Sequence, residues 1–280
     1  MTLRVAGGLS SLSPALDILR HMERPFGLVP TMGYLHEGHL ALIRAAREAG
    51  CATVVTVFVN PTQFAPGEDF ASYPRDEKRD FRLASHAGAD LVWFPKAEVI
   101  YPAGWQTSVL PGALAKRLCG LSRPHFFGGV CSVVLRLFQI IQPQHAWFGE
   151  KDFQQLVILR RMVVDFFLPV TLHGMPTVRE PDGLAMSSRN ARLAPERRDL
   201  ALTLWRCICR ARQAYGAGRR DAATLLAELR ADWPAELGLD YMEFRDPKEL
   251  ELQEKLGPKT RLFLAAWLDG VRLIDNSPLE

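Results

Sequence analysis

The feature that most restricts this chain is an alternation of two hydrophobic periods. Short apolar runs occur at FGLVP (26–30), CATVVTVFVN (51–60), LVWFP (91–95), HAWFGEKD (145–152) and VTLHGMPTVRE (170–180). Between them lie longer stretches with apolar residues at helical spacing: HLALIRAAREAG (39–50), EKRDFRLASHAGAD (77–90), VCSVVLRLFQIIQP (130–143) and QQLVILRRMVVDFF (154–167). The short runs, rich in β-branched and aromatic residues, read as buried strands; the longer ones read as helices. Strand followed by helix, repeated, predicts a Rossmann-like parallel sheet with both faces covered. Ligands of such sheets bind at the carboxyl ends of the strands.

The pattern changes near residues 178–185. PERRDLALTLWRCICRARQAYGAG (195–218) reads as one long amphipathic helix and DAATLLAELRADW (221–233) as another. LDYMEFRDP (239–247), TRLFLAAWL (260–268) and VRLIDN (271–276) read as strands. The expected organisation is a catalytic domain over 1–180 and a smaller α/β lid domain over 181–280, a division that suits a 280-residue chain.

Composition excludes several classes. A net charge of +3, from 34 basic and 31 acidic residues, is too weak to argue for a nucleic-acid partner. No apolar run reaches membrane-spanning length. The opening MTLRVAGGLSSLSPALDILR is broken by Gly, Ser and Pro and lacks the core of a signal peptide. Cys51, Cys119, Cys131, Cys207 and Cys209 are scattered, outside zinc-site spacing. They are expected as reduced thiols in a cytoplasmic protein.

The chemistry-bearing residues fall in loops beside the strands. PTMGYLHEGH (30–39) places His36 and His39 three apart at a helix start, with Gly38 between them. Free N–H groups and the positive dipole end suit a phosphate there, Gly38 lets a ligand come close, and two imidazoles can donate hydrogen bonds to developing charge. The simpler reading is a helix cap carrying two surface histidines. The spacing is not that of a zinc HExxH helix. FVNPTQF (58–64) supplies Asn60 and Gln63, or only a turn. GEKDFQQL (149–156) supplies Lys151, a mobile cation for phosphate, with Gln155 one turn later and Asp152 as a possible helix cap. MSSRN (186–190), beside the probable turn Asp182-Gly183, adds hydroxyls and an arginine suited to clamping phosphate, or only a solvated loop.

Together these segments describe a nucleotidyl-transfer site, and from about residue 26 onward the chain resembles the pantoate–β-alanine ligase family. That family is one of the HxGH adenylyl-transfer enzymes, which include class I aminoacyl-tRNA synthetases. The motifs carrying the resemblance are PTMGYLHEGH, FVNPTQF, YPR (73–75), FGEKDFQQL, HGMPTVRE, DGLAMSSRN and LAAWL with RLIDN, in order. The resemblance implies a two-step, AMP-forming amide synthesis through pantoyl adenylate, with ATP as substrate. It implies that His36, His39 and Lys151 stabilise phosphate charge and that Asn60 positions the reacting groups. Pro30, Met32, Gln63 and Gln155 would hold pantoate. Met32, Gly38, Gly149, Asp152, Val178, Met186, Ser187, Ser188 and Arg189 would surround ATP. Mg²⁺ would accompany ATP, with Asp80 as a candidate contact, and a homodimer is expected. Alternatives from other classes are a nucleotidyltransferase that stops at a dinucleotide-like product and a protein that only binds nucleotide.

The chain departs from the family in one loop. Where the family commonly reads LEG-x-x-RPGHFRGV, this chain reads LCGLSRPHFFGGV (118–130). Cys119 takes the acidic position, Phe126 that of the histidine and Gly128 that of the arginine, while His125 replaces a glycine. Tyr73, Cys119, Arg123, His125 and Phe126 are the candidate amine-site residues. Either neighbouring residues compensate and β-alanine remains the acceptor, or the adenylation site is kept and the amine, or the acid, differs.

Overall fold

The computed structural model describes residues 2–280. In chain order the elements are β1 (Leu3–Ala6), α1 (Leu9–Arg20), β2 (Phe26–Thr31), α2 (Glu37–Glu48), β3 (Ala52–Val57), α3 (Glu77–Ala87), β4 (Leu91–Phe94), α4 (Ala97–Ile100), α5 (Cys119–Ser122), α6 (Phe126–Ile141), β5 (His145–Gly149), α7 (Phe153–Asp165) and β6 (Thr171–Met175). There follow α8 (Arg198–Ala201), α9 (Thr203–Gly216), α10 (Ala222–Ala231), β7 (Gly238–Arg245), β8 (Arg261–Leu268) and β9 (Val271–Pro278).

Six parallel strands form one sheet in the order β1-β4-β3-β2-β5-β6. Side chains alternate across it with period two. Leu28, Val54, Leu91 and Ala146 pack towards α1, α6 and α7, and their neighbours Val29, Val55, Val92 and Trp147 pack towards α2 and α3. β7, β8 and β9 form a separate antiparallel sheet, and α9 and α10 cover one of its faces. No helix among the described residues is long and apolar enough to cross a membrane.

Three elements differ from expectation. The broken-looking N-terminus supplies β1, paired with β4, and α1, which buries Leu12, Leu16 and Leu19 despite Pro14 inside it. Proline and the adjacent serines mask a helical stripe that the core selects. α6 begins at Phe126, ahead of the apolar run that signals it. The stretch 195–218 is not one helix: a 3-10 turn at Pro195–Arg197 leads into α8, and Leu202 joins α8 to α9. Arg197 is tied to Asp269 and Arg198 to Glu180 and Asp182, and these ties hold the first turns against the neighbouring loops.

Candidate active site

β2 lies between β3 and β5, so the chain leaves β2 to one side and returns on the other. That is the switch point where a doubly wound sheet opens a crevice. A cavity of about 580 Å³ lies there, lined by residues that follow β2, β3, β5 and β6 and by residues of β9. Pro30, Met32, His36, Gly38, His39, Asn60, Gln63, Tyr73, Cys119, Arg123, Phe126, Gly149, Lys151, Asp152, Gln155, Val178, Met186, Ser187, Ser188 and Arg189 all contribute to its wall. The sequence motifs therefore converge in space.

The two histidines form the helix cap and face the cavity at once. The Gly38 N–H donates to His36 Nδ1 at 3.2 Å, and the His36 N–H donates to His39 Nδ1 at 3.3 Å. Each Nδ1 must then be the unprotonated nitrogen, which places the ring proton on Nε2 as the donor left for a ligand. The ring centroids are 4.1 Å apart. Burial, aided by the charge of Lys151, lowers the His36 pKa to about 4; burial, aided by His36 and Lys151, holds His39 well below its ordinary value. Both rings are neutral donors at neutral pH. A Cβ at Gly38 would stand 3.0 Å from the His36 ring and press it out of place.

Asn60 is almost wholly buried and all its polar atoms are used. Its oxygen accepts from Thr62 N–H and from the Tyr101 and Thr62 hydroxyls, and its amide nitrogen donates to Gly129 O at 3.1 Å and Gln63 Oε1 at 2.9 Å. A backbone N–H on one side and a carbonyl on the other fix which end is oxygen. That in turn fixes Gln63, whose Nε2 is left free. Asn60 therefore orients Gln63 while itself lining the cavity. Arg123 braces the same turn through Gln63 O at 3.0 Å and the Glu68 carboxylate at 2.6 and 2.9 Å.

Across the crevice, Lys151 makes a 3.8 Å contact with Asp152, and Gln155 lines the cavity beside it. Sequence reading missed what holds this turn. Asn276 in β9 donates to the carbonyls of Glu150 and Lys151, and Arg261 in β8 pairs with Glu150. It also missed the bridge over the opening. Asp69 accepts from Arg189 at 3.1 Å and Arg192 at 2.7 Å, and Tyr73 OH meets Ser188 Oγ at 2.9 Å. Acidic residues in APGEDF were the available signal; a lone asparagine in a strand offered none.

Two expected residues lie outside the cavity. Asp80 is 1% exposed, and its oxygens accept the N–H groups of Tyr34 at 2.8 Å and Leu35 at 2.7 Å. It shapes the turn before His36, where Tyr34 has φ 51°. No group of three or more metal-type ligands occurs among the described residues. Its two backbone hydrogen bonds give Asp80 a turn-holding role, and it does not line the cavity where it was expected to meet Mg²⁺. His125, expected at the amine site, is exposed at the start of α6 and does not line the cavity. The altered loop is nonetheless balanced in charge. The Cys119 thiol lies beside Arg272 and Arg123, and burial outweighs them and pushes its pKa up. Each arginine has its own carboxylate, Asp240 and Glu68, and Phe126 lies under the Arg123 guanidinium at 4.1 Å.

Fold and cavity together define the class, an α/β enzyme of the HxGH type. The Pantoate-beta-alanine ligase family model matches residues 5–278, and the chain belongs to that family of ligases. It is 49% identical to pantothenate synthetase 1 of Bradyrhizobium diazoefficiens over 99% of both chains. It is 45% identical to the pantothenate synthetase of Geobacter sulfurreducens, again over 99% of both. The crystal structure of pantothenate synthetase from Thermus thermophilus matches with TM-score 0.92 and 42% identity over 99% of each chain. That of pantoate-beta-alanine ligase from Francisella tularensis, complexed with beta-gamma ATP and beta-alanine, matches with TM-score 0.80 and 30% identity over 100% of this chain and 98% of the other.

Proposed function

We propose that this chain joins pantoate to β-alanine in two steps within the single cavity. A pantoate carboxylate oxygen attacks the α-phosphorus of ATP, the bond to the β-phosphate breaks, and pyrophosphate leaves. The β-alanine nitrogen then attacks the acyl carbon of pantoyl adenylate, the bond to AMP breaks, and the nitrogen loses a proton. Positioning and charge stabilisation suffice, with no covalent enzyme intermediate. The observation that carries this reading is the pair of neutral, Nδ1-anchored imidazoles opposite Lys151, in one cavity with Gln63 and Gln155.

In this reading His36, His39 and Lys151 receive the phosphates, and Gln63 and Gln155 hold pantoate against Pro30 and Met32. Gly149 and Asp152 face the ribose, and Val178 and Met186 complete the nucleotide wall. Ser187, Ser188 and Arg189 close over the phosphates once Arg189 exchanges Asp69 for them. Mg²⁺ would arrive with ATP, held chiefly by phosphate oxygens. Among the described residues, Asp152 is the one carboxylate of the cavity wall without an arginine partner and is the group suited to it. The family match and the Francisella tularensis relative complexed with beta-alanine support β-alanine as acceptor. The less polar wall made by Phe126 and Cys119 favours a different amine as the second reading.

The two-part division at 1–180 and 181–280 belongs to this proposal, with the second part acting as a lid through Asn276 and Arg272. A homodimer is supported by the exposed Val164, Phe166 and Phe167 beside edge strand β6, and a cytoplasmic location by unpaired cysteines. Replacing Lys151 with Ala tests the site. Pantoate-dependent pyrophosphate release from ATP is expected to fall at least 100-fold, equivalent to about 2.7 kcal/mol in the barrier. Undiminished release in Lys151→Ala would remove Lys151 from the mechanism.

A further inference from the structure

Among the described residues, two buried side-chain polar atoms lack a hydrogen bond, Thr56 Oγ1 and Arg79 Nη1. The Arg79 side chain as a whole is 36% exposed, and Nη1 is its buried nitrogen; a buried nitrogen without a partner calls for a reason. Arg79 lies in the first turn of α3. Its nearest carboxylate oxygen, Asp80 Oδ1, is 3.8 Å away and already accepts the Leu35 N–H. The guanidinium lies 5.0 Å from the centre of the Tyr34 ring, a contact that orients it without neutralising it.

Arg79 faces a second cavity of about 280 Å³. His36, Ser187, Ser188 and Asn190 line this space and the main cavity alike. Its other arginine, Arg198, is engaged by Glu180 and Asp182, each at 2.6 Å. Asn190 also donates to Glu180, at 2.7 Å, so that carboxylate is occupied. Arg79 is thus the cation of this space left without a hydrogen-bonded counter-ion, next to an imidazole and two hydroxyls. Arginine presents a fork that matches phosphate oxygens.

We propose that Arg79 binds the terminal phosphates of ATP and then the departing pyrophosphate, which the second cavity receives behind the His36 wall. The assignment rests on the ligase reading above and adds a residue and a departure route to it. No bond is made or broken by Arg79. It offsets the charge that pyrophosphate gains as the α–β bond breaks.

The test uses the full-length protein, Arg79→Gln and Arg79→Lys, with inorganic pyrophosphate as the probe. Binding is read by calorimetry, and product inhibition by pyrophosphate is read against ATP. Arg79→Gln is expected to weaken both at least tenfold, leave AMP binding and the pantoate KM within twofold, and be partly rescued by Arg79→Lys. Equal pyrophosphate affinity in wild type and Arg79→Gln overturns the proposal. So does an equal loss of AMP binding, which marks a loosened 34–36 turn. Pantothenate formation by the wild type, followed in parallel, separates the two readings. A wild type that binds pyrophosphate through Arg79 yet forms no pantothenate contradicts only the ligase reading. A wild type that forms pantothenate while Arg79→Gln is unchanged contradicts only this one.

Discussion

Replacing Asp80 with Ala separates a turn-holding carboxylate from a metal ligand. The Asp80 oxygens accept two backbone N–H groups, at 2.8 and 2.7 Å, in a turn that contains the left-handed Tyr34 and leads into His36. Each donor left unsatisfied in a buried place costs about 1–3 kcal/mol. Against that, burial pushes the Asp80 carboxyl up from its ordinary value, more than the two N–H groups pull it down. The ionised group is therefore itself penalised by folding at neutral pH, and its removal returns part of the cost. The net expectation is a loss of about 2–4 kcal/mol, or roughly 3–7 °C in Tm for a chain of this size. Asp80→Asn keeps one acceptor and should lose about half as much. Because the turn positions His36, pyrophosphate release should slow in both variants without a change in the Mg²⁺ concentration that gives half-maximal rate. Thermal unfolding and a Mg²⁺ titration of the rate measure the two effects. Unchanged Tm with a Mg²⁺ requirement shifted tenfold would refute the reasoning and return Asp80 to the metal.

Three further expectations follow from the same geometry. The His36 pKa is about 4 in the folded protein against 6.5 for the free side chain, so the unfolded chain binds the extra proton first as pH falls. Stability should therefore be lost progressively from about pH 6.5 to 4, by on the order of 3 kcal/mol for this group, and His36→Asn should flatten that part of a urea-melt pH series; an equal slope in the variant would contradict it. A Cβ at Gly129 would stand 2.3 Å from the Thr62 carbonyl oxygen, so Gly129→Ala should cost about 2–3 kcal/mol and raise the pantoate KM, and a neutral result would show that the 60–63 turn is not held by α6. Arg123→Ala removes the brace on Gln63 and should raise the pantoate KM about tenfold, roughly 1.4 kcal/mol, with the ATP KM little changed; initial-rate kinetics with each substrate varied decide it.

The sheet was legible because each buried strand carries its own signal. The run 51–60 is dense in valine, and Val54 and Val55 indeed pack on opposite faces. The N-terminal strand and helix were not, because β1 is only Leu3–Ala6 and α1 contains Pro14. Their assignment depends on pairing with β4, a long-range fact that no local pattern states. Site residues were found where chemistry follows from residue type and spacing, as in His36-x-Gly38-His39. The residues that position them were not found. Nothing in FVNPTQF shows that Tyr101 and Gly129 hold the Asn60 amide. Asn276 reaches the Lys151 turn from a strand 125 residues later in the chain. Asp80 and His125 were misplaced because a carboxylate or imidazole near a motif gives no indication of which way it turns.

The central claim is tested most directly by following pyrophosphate and AMP together. Purified protein, ATP, Mg²⁺ and pantoate are mixed first, and β-alanine is added once pyrophosphate release has levelled. The account predicts a burst of pyrophosphate close to one per active site with AMP retained, then AMP and pantothenate released in equal amounts after β-alanine. Absence of the pantoate-dependent burst would contradict the adenylation site; a burst that β-alanine leaves untouched, and another amine discharges, would contradict β-alanine as the acceptor.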